Sequence, residues 1–171
     1  MPGFCEAARE LNSLTGINIL QGSALAAPVP DGGFDCAYSQ AVLINISDKL
    51  AFLHEAFGVL RPGGSLALAF VGSGPAGEPH YQLPWAATPA TSFLVTLDEF
   101  RTDLLAAGFD IIASGTLLQK VLRALAPVLR QLETEKLPPL GEHVVEWRIN
   151  AMRRARDRRT SMIEALARKP I

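Results

Sequence analysis

The sequence predicts an α/β fold, and the stretch from Ala56 to Val71 carries most of that prediction. Apolar residues at helical spacing predict an amphipathic helix from Ser47 or Asp48 to Leu60. The Pro62-Gly63-Gly64 corner ends it, because proline cannot continue a helix and glycine permits a tight turn. Ser65 to Val71 then runs almost without polar residues, which is typical of a strand covered by helices on both faces of a parallel sheet.

Composition places the chain among single globular domains. Its 171 residues, 49% hydrophobic and 19% charged, are enough to bury one core and too apolar for disorder. A formal net charge of -1 gives no overall attraction to nucleic acid or to an anionic membrane. Cys5 and Cys36 make neither a disulfide framework nor a metal site, so reduced thiols are expected.

Nothing in the sequence directs the chain to a membrane. No apolar run approaches the ~20 residues of a membrane span. The first residues lack the basic and then apolar layout of a signal peptide. A cytoplasmic protein with no membrane or nucleic-acid partner is therefore expected.

The elements before the corner are predicted in the order helix, strand, strand, helix. Phe4 to Leu14 reads as a helix closed by Gly16, and Ile17 to Leu20 as a brief strand. After a loop rich in small residues, Phe34 to Ser39 is a second strand. In the helix before the corner, Lys49, His54 and Glu55 fall on the polar faces.

Beyond Val71 the pattern becomes irregular and then helical. The segment 72–92 is too rich in Pro and Gly for a regular element. Thr96 and Glu99 form a capping box that opens a helix ending at Gly108, and Phe109 to Ala113 follows as a strand. Leucines from Leu117 to Leu132 form an apolar stripe with a kink at Pro127.

The last part of the chain is less regular. Glu142 to Asp157 is predicted as a helix, and Ser161 to Ala167 is ambiguous by periodicity alone. A local cluster of arginines in this part is interpreted as a solvated helix face, because no aromatic residues are interleaved with it. The cluster consists of Arg148, Arg153, Arg154, Arg156, Arg158 and Arg159.

Three stretches in fixed order resemble the class I S-adenosylmethionine-dependent methyltransferases of small molecules, similar to sarcosine/dimethylglycine and quinone methyltransferases. They are Gly22 to Lys49, Leu60 to Phe70, and the strand after Ala106 to Phe109. The resemblance implies a single Rossmann-like domain over 1–171, with strands in the order three, two, one, four, five, seven, six and the last one antiparallel. It also implies that segments 72–92 and 116–158 serve as a substrate-side loop and cap.

On that map the first two strands of the family have no counterpart, so a partial, N-terminally truncated sheet with flanking helices is expected. Ile17–Leu20 is the third strand, Phe34–Ser39 the fourth, Ser65–Val71 the fifth, Phe109–Ala113 the sixth and Ser161–Ala167 the seventh. The absent strands normally carry the glycine-rich turn and the acidic residue that hold the cofactor. A homodimer or a partner chain that completes the sheet is therefore expected.

The resemblance implies a site at the carboxyl ends of the strands. S-adenosylmethionine is expected beside Ser23, Ala24, Ser39 and Gln40, and no metal is expected. Two positions depart from the family, since Ser23 replaces an Asp and Ala41 replaces a His. The small-molecule substrate is expected beside Tyr38, Asn45, His80, Tyr81 and Trp85.

Each substrate-side residue also has a plain structural interpretation. His80 can take a proton at neutral pH and is the candidate catalytic residue. Tyr81 and Trp85 equally fit anchors of the loop on the core, and Tyr38 and Asn45 fit hydrogen-bonded structural residues. His54 and His143 are interpreted as surface residues.

A GxGxxG pattern spans Gly72 to Gly77, but the residues after it, Glu78-Pro79-His80, do not open the helix that a phosphate site needs. The pattern is therefore interpreted as a loop. Two functions remain: a small-molecule methyltransferase, or a degenerate member that acts as a binding protein or as a donor-independent natural-product enzyme.

Overall fold

The computed structural model describes residues 2–117, 150 and 153–171, and its centre is a mixed four-stranded sheet in the order β1-β2-β4-β3. The strands are β1 (Phe34–Gln40), β2 (Leu60–Ser73), β3 (Asp110–Thr116) and β4 (Thr160–Arg168). β1 and β2 are parallel, whereas β4 is antiparallel to both β2 and β3. This confirms the expected order of the fourth, fifth, seventh and sixth family strands, including the antiparallel last strand.

The predicted helix, corner and strand are all present, but the corner lies inside the strand. Helix α2 (Lys49–Val59) begins at Asp48, whose side chain accepts a hydrogen bond from the Ala51 amide at 2.8 Å. β2 starts directly at Leu60, and the corner forms a bulge between the pairs Phe34–Leu60 and Cys36–Ser65. Gly63 has φ +78°, the left-handed conformation that glycine adopts without steric cost.

One face of the sheet carries the core. Helices α2 and α3 (Leu97–Ala106) belong to one apolar cluster with the strands, and the rings of Phe70 and Phe100 meet edge to face with centroids 4.7 Å apart. The predicted capping box is confirmed, since Thr96 and Glu99 bond each other's backbone amides. The largest fully buried side chains are Phe70, Phe100, Phe109, Leu43, Leu53, Leu60, Leu66, Leu83, Leu104 and Ile163.

Among the described residues no helix covers the opposite face of the sheet, and helices on both faces of β2 stay a prediction. Leu66, Leu68 and Phe70 are buried, while the alternating residues Ala67 and Ala69 are half-exposed. These alanines line a groove of about 540 Å³ across the sheet. An apolar strand therefore does not reveal by itself how many of its faces are covered.

The predicted strand Ile17–Leu20 is also a correction, because these residues join no ladder. A strand needs a neighbour for its backbone groups, and none of the described strands lies beside this segment. Side chains bond it at two points, since Arg9 Nε donates to the Ile19 carbonyl at 3.1 Å and Thr15 Oγ1 accepts from the Ile17 amide at 3.3 Å. The helix before it, α1, spans Pro2–Leu11 and leaves Leu11 83% exposed.

No described helix is long and apolar enough to cross a membrane.

Candidate functional site

The carboxyl ends of β1 and β2 meet at one edge of the sheet, because the two strands are parallel and Gln40 pairs with Ala69. In open α/β sheets, ligands bind outside this edge. From it the chain leaves β1 through Ala41 and leaves β2 through Gly74. Every polar group at this edge is therefore a candidate for ligand contact.

The exit of β1 holds three features of interest. The Ser39 hydroxyl oxygen is buried and has no hydrogen-bond partner in the structure. The Tyr38 hydroxyl donates to Gln40 Oε1 at 2.5 Å, so the structure brings these two predicted residues together. Ala41 has φ +56°, which is unusual for a residue with a side chain, and its amide donates to the Ala69 carbonyl at 2.8 Å.

Ser23 and Ala24 lie in the loop before β1. Ser23 Oγ accepts from the Leu25 amide at 3.1 Å, and Ala24 packs against the core. The loop is tied to α2 by the Ala27 amide, which donates to Glu55 Oε1 at 2.8 Å. Ser23 is thus engaged locally, within its own turn.

Lys49 was predicted on a polar face of α2, but only 4% of it is exposed. Its ammonium group donates to the carbonyls of Leu43, Ile46 and Phe93 at 3.1, 2.7 and 2.6 Å. Burial lowers the pKa of Lys49 below its ordinary value. Lys49 therefore fixes the segment after β1, including the exposed Asn45, against the end of the β2 loop.

The loop after β2 is anchored through Trp85. Its indole N–H donates to Ser92 Oγ at 3.1 Å, and the ring packs against the core. The Arg154 guanidinium lies 4.2 Å from the ring centroid, a cation–π distance. Trp85 therefore has the contacts of an anchor, which was one of its two interpretations.

His80, in the same loop, is exposed and faces the last turn of the helical residues 153–156. Its Nε2 lies 3.7 Å from Asp157 Oδ2. A hydrogen bond from Arg156 Nε at 3.1 Å lowers the pKa of Asp157, so this carboxylate stays ionised. The pair can hold a protonated imidazole, while His54 is exposed on α2, as predicted.

The GxGxxG residues lie partly in β2, which corrects their interpretation as a loop: Gly72 and Ser73 end the strand, and only Gly74 to Gly77 lie in the loop. No helix follows Gly77. A Cβ on Gly72 would lie 2.7 Å from the Val95 carbonyl, and one on Gly74 would collide with the Arg158 carbonyl. The Gly74 amide donates to the Arg159 carbonyl at 2.9 Å, so these glycines serve the contact between β2 and β4.

The arginine cluster is only partly solvated, which corrects its interpretation as a solvated face. Arg154 is half-buried, and burial lowers its pKa to about 10. Arg159 is also half-buried, and its Nη1 donates to the Glu78 carbonyl at 2.7 Å. Sequence spacing gave no signal for either role, since both partners lie some seventy residues or more earlier in the chain.

The other arginines of the cluster differ from these two. Arg153, Arg156 and Arg158 are exposed, as predicted. Arg148, His143, the helix from Glu142 as far as 149, and the leucine stripe beyond Leu117 lie outside the described residues.

A cleft of about 280 Å³ opens at the end of β2, between the start of the loop and its return. Tyr81, a predicted substrate-side residue, lies in its wall. So does Ser92, the hydrogen-bond partner of Trp85. The complete lining is Ser73, Gly74, Gly77, Glu78, Pro79, Tyr81, Ser92 and Leu94. Among the described residues no cluster of His, Cys, Asp and Glu is suited to a metal ion.

Comparison with known proteins gives sequence similarity in the first part of the chain. Residues 1–68 match a family described as a methyltransferase domain. The ubiquinone/menaquinone biosynthesis C-methyltransferase UbiE of Pasteurella multocida is 41% identical over 61 residues, which are 36% of this chain and 23% of that protein. The chain thus spans about a quarter of the length of the curated relatives it matches.

Solved structures extend the similarity over nearly the whole chain. The [4+2]-cyclase SpnF is 23% identical, with a TM-score of 0.68. The match covers 98% of this chain and 62% of the SpnF chain. A candidate sarcosine dimethylglycine methyltransferase from Galdieria sulphuraria is 16% identical, with a TM-score of 0.76. The match covers 99% of this chain and 67% of that one. At these identities the similarity shows the fold. The chain is a methyltransferase-like protein that resembles the class I S-adenosylmethionine-dependent methyltransferases in sequence at its start and in fold throughout.

Proposed function

We propose that this chain forms the substrate side of an S-adenosylmethionine-dependent methyltransferase acting on a small molecule. The observation that carries the proposal is the edge shared by β1 and β2, where the buried Ser39 hydroxyl has no hydrogen-bond partner and Gln40 pairs with Ala69. Further along, β2 ends at Ser73 in the wall of a cleft. The sequence similarity to methyltransferase domains supports the same assignment.

The described residues fit one side of the methyl donor. Ser39 offers a buried hydroxyl without a partner, and Gln40 offers an amide whose oxygen is held by Tyr38. Ser23 and Ala24 are proposed for the same side. When bound, the donor supplies a methyl group that leaves with the bonding electrons remaining on sulfur. Glycines that would let the backbone approach the donor are not among these residues, since Gly72 and Gly74 are committed to packing.

The substrate is proposed to lie between the exit of β1 and the β2 loop. Tyr38, Asn45, Tyr81 and Trp85 are assigned to its walls, and the Arg154 contact fixes Trp85 there. His80 is assigned as the group that takes a proton from the substrate nucleophile, with Asp157 stabilising the imidazolium. Positioning of the two reactants supplies much of the rate acceleration in such reactions, so a site with few acid or base groups is sufficient.

A second copy or a partner chain is proposed to complete the sheet beside β1. Tyr38 and Phe34, on this edge strand, are 66% and 40% exposed, and exposed strand edges invite pairing. Helix α1 presents Phe4 and Leu11 to solvent as well, and the turn after it presents Leu14. A cytoplasmic location is proposed, in keeping with the free thiols of Cys5 and Cys36.

A donor-independent enzyme or binding protein is the second candidate. It is favoured by Ala41 at the position where the family often has His, and by the similarity to the [4+2]-cyclase SpnF. This function would use the same cleft without transfer of a methyl group.

Incubation with donor radiolabelled in its methyl group, together with pools of small nucleophiles, separates the two functions. The methyltransferase proposal predicts labelled product that falls at least about tenfold in His80→Ala, because general-base catalysis contributes that much or more. His54→Ala, on an exposed helix face, is the matched control and should retain activity. Substrate conversion that continues without donor would instead establish the second candidate.

A further inference from the structure

The open side of the sheet, the face that no described helix covers, has a regular relief. Two rows of paired residues cross it from β2 over β4 to β3, and in each row a larger side chain of β4 lies between small residues of its neighbours. All six residues line the groove of about 540 Å³. The rows are Ala67, Leu166, Ala113 and Ala69, Glu164, Gly115. The groove therefore has two depressions, one over β2 and one over β3, with a ridge on β4 between them.

Helix α1 carries the complementary relief on its exposed side. Phe4 and Leu11 are seven residues apart, which places them on one face of the helix, and both are exposed. Ala7 and Ala8 lie between them on the same face. On the helix, two large side chains thus flank small ones, which is the reverse of the order on the sheet.

The two reliefs also agree in their dimensions. At a rise of about 1.5 Å per residue, Phe4 and Leu11 are about 10.5 Å apart along the helix axis. β2 and β3 lie on either side of β4, so their depressions are two strand spacings, or roughly 9.6 Å, apart. Phe4 and Leu11 can therefore enter the two depressions while the small face between them crosses the ridge at Leu166.

The helix that fits this groove comes from outside the chain, because no residue of α1 is among the described residues that line it. A second copy supplies such a helix, and two-fold symmetry makes the exchange reciprocal. Phe4, Leu11 and Leu14 expose about 400 Å² per chain, so two symmetric contacts would bury roughly 1,600 Å² over both partners, the size of a standard stable interface.

We propose that α1 of a second copy lies across the open side of the sheet, with Phe4 and Leu11 in the two depressions of the groove. The inference rests on the second copy proposed above, and it specifies the two surfaces that meet. It requires neither the methyl donor nor the cleft at the end of β2.

The test mixes two forms of the full chain in equal amounts, both carrying Cys5→Ser and Cys36→Ser. One form bears a nitroxide spin label at Glu6→Cys, an exposed position away from the apolar face of α1. The other is enriched in nitrogen-15 and carries no label. Because NMR observes only the enriched form, broadening of its amide resonances reports contact between copies. We expect broadening at the groove residues of β2 and β3, and its loss when the nitroxide is reduced.

Variants test both halves of the contact. Ala69→Arg fills one depression with a long cation and should weaken self-association at least tenfold, with loss of the broadening. The matched control Ala106→Arg, at an exposed alanine that ends α3, should leave both unchanged. Leu11→Glu should act as Ala69→Arg does, and it decides the matter if circular dichroism shows that Ala69→Arg is unfolded.

A dimer with broadening along the free edge of β1 and none in the groove would overturn this inference and leave the proposed second copy in place. A monomer without broadening would overturn both, as expected if the leucines from Leu117 to Leu132 of the same chain occupy the groove. Unchanged broadening in Ala69→Arg and Leu11→Glu would also overturn the inference. Broadening in the groove of a chain that never transfers a methyl group would support this inference while refuting the proposed methyltransferase.

Discussion

Lys49 is a buried residue that joins two chain segments next to the candidate site. Three carbonyls from two segments converge on its ammonium group, and all three would lose their partner in Lys49→Met. The loss is partly offset because a buried charge is removed as well. We expect the free energy of unfolding to fall by about 3 kcal/mol, measured by urea denaturation.

His54→Met, on the exposed face of the same helix, is the control for that experiment and should leave the free energy of unfolding nearly unchanged. Equal stability of Lys49→Met and the native chain would show that the three hydrogen bonds are not formed in solution.

Ala41 is the second residue with a clear consequence, because its left-handed backbone is costly for any side chain. Ala41→Gly should raise the free energy of unfolding by about 0.5 kcal/mol, the relief of strain being partly offset by the greater entropy of the unfolded glycine. Ala41→Val should lower it. Thermal unfolding followed by circular dichroism measures both, and stabilisation by valine would contradict the backbone conformation described for Ala41.

The sequence predicted the roles of some residues and gave no indication of the roles of others. The capping role of Thr96 depends on Glu99 three residues later, so the pattern was visible. The roles of Arg154 and Arg159 depend on the distant partners Trp85 and Glu78. The role of Lys49 depends in part on Phe93, which lies 44 residues away. Such contacts exist only after folding, and local spacing contains no trace of them.

At the scale of elements, the capping box makes the stability of α3 sensitive to acid. Hydrogen bonds from the Thr96 amide and hydroxyl lower the pKa of Glu99 below its ordinary value. The folded state thus favours the ionised carboxylate, and its contribution is complete above the ordinary pKa and lost as pH falls through the lowered one. Thr96→Ala should cost about 1 kcal/mol at neutral pH.

The same variant should flatten the acid side of the stability profile, because Glu99 would then titrate nearly alike in the folded and unfolded chains. Urea unfolding at a series of pH values below neutrality provides the measurement. Parallel profiles for the native chain and Thr96→Ala would show that the capping pair does not cause the acid sensitivity.

Elements were predictable where local signals were strong. Asp48 before α2 and the Pro62-Gly63-Gly64 corner gave boundaries close to the observed ones, although the corner proved to be a bulge within β2. The prediction of a strand at Ile17–Leu20 was wrong, because a strand depends on its neighbouring strands as much as on its own residues.

At the scale of the molecule, exposed apolar side chains lie on α1, on the turn that follows it, and on the open side of the sheet. Phe4 is 73% and Leu14 is 98% exposed, and the groove over Ala67 and Ala69 is lined mostly by small and apolar side chains. Surfaces of this kind mark interaction sites. We expect self-association, seen in light scattering as a mass above the 18.4 kDa of one chain.

Phe4→Glu should shift that equilibrium towards the monomer, since it places a charge in the contact. Leu105→Glu, an exposed leucine on α3 that is 61% accessible, is the matched control and should not change the mass. A monodisperse monomer at every concentration of the native chain would contradict the expectation.

The fold as a whole was accessible from the sequence through resemblance, including the order β1-β2-β4-β3. The candidate site was accessible only in outline. Tyr81 does lie in the cleft. The hydrogen bond from Arg159 to the Glu78 carbonyl and the Ser39 hydroxyl without a partner could be seen only in the three-dimensional arrangement.

Calorimetric titration of the chain with S-adenosylmethionine tests the central claim most directly. We predict saturable binding that is weakened several-fold in Ser39→Ala, since a hydrogen bond to the donor is lost, and that is unchanged in His54→Ala. No heat of binding at millimolar donor, in a chain shown to be folded by circular dichroism, would contradict the claim that the shared edge of β1 and β2 holds a methyl donor.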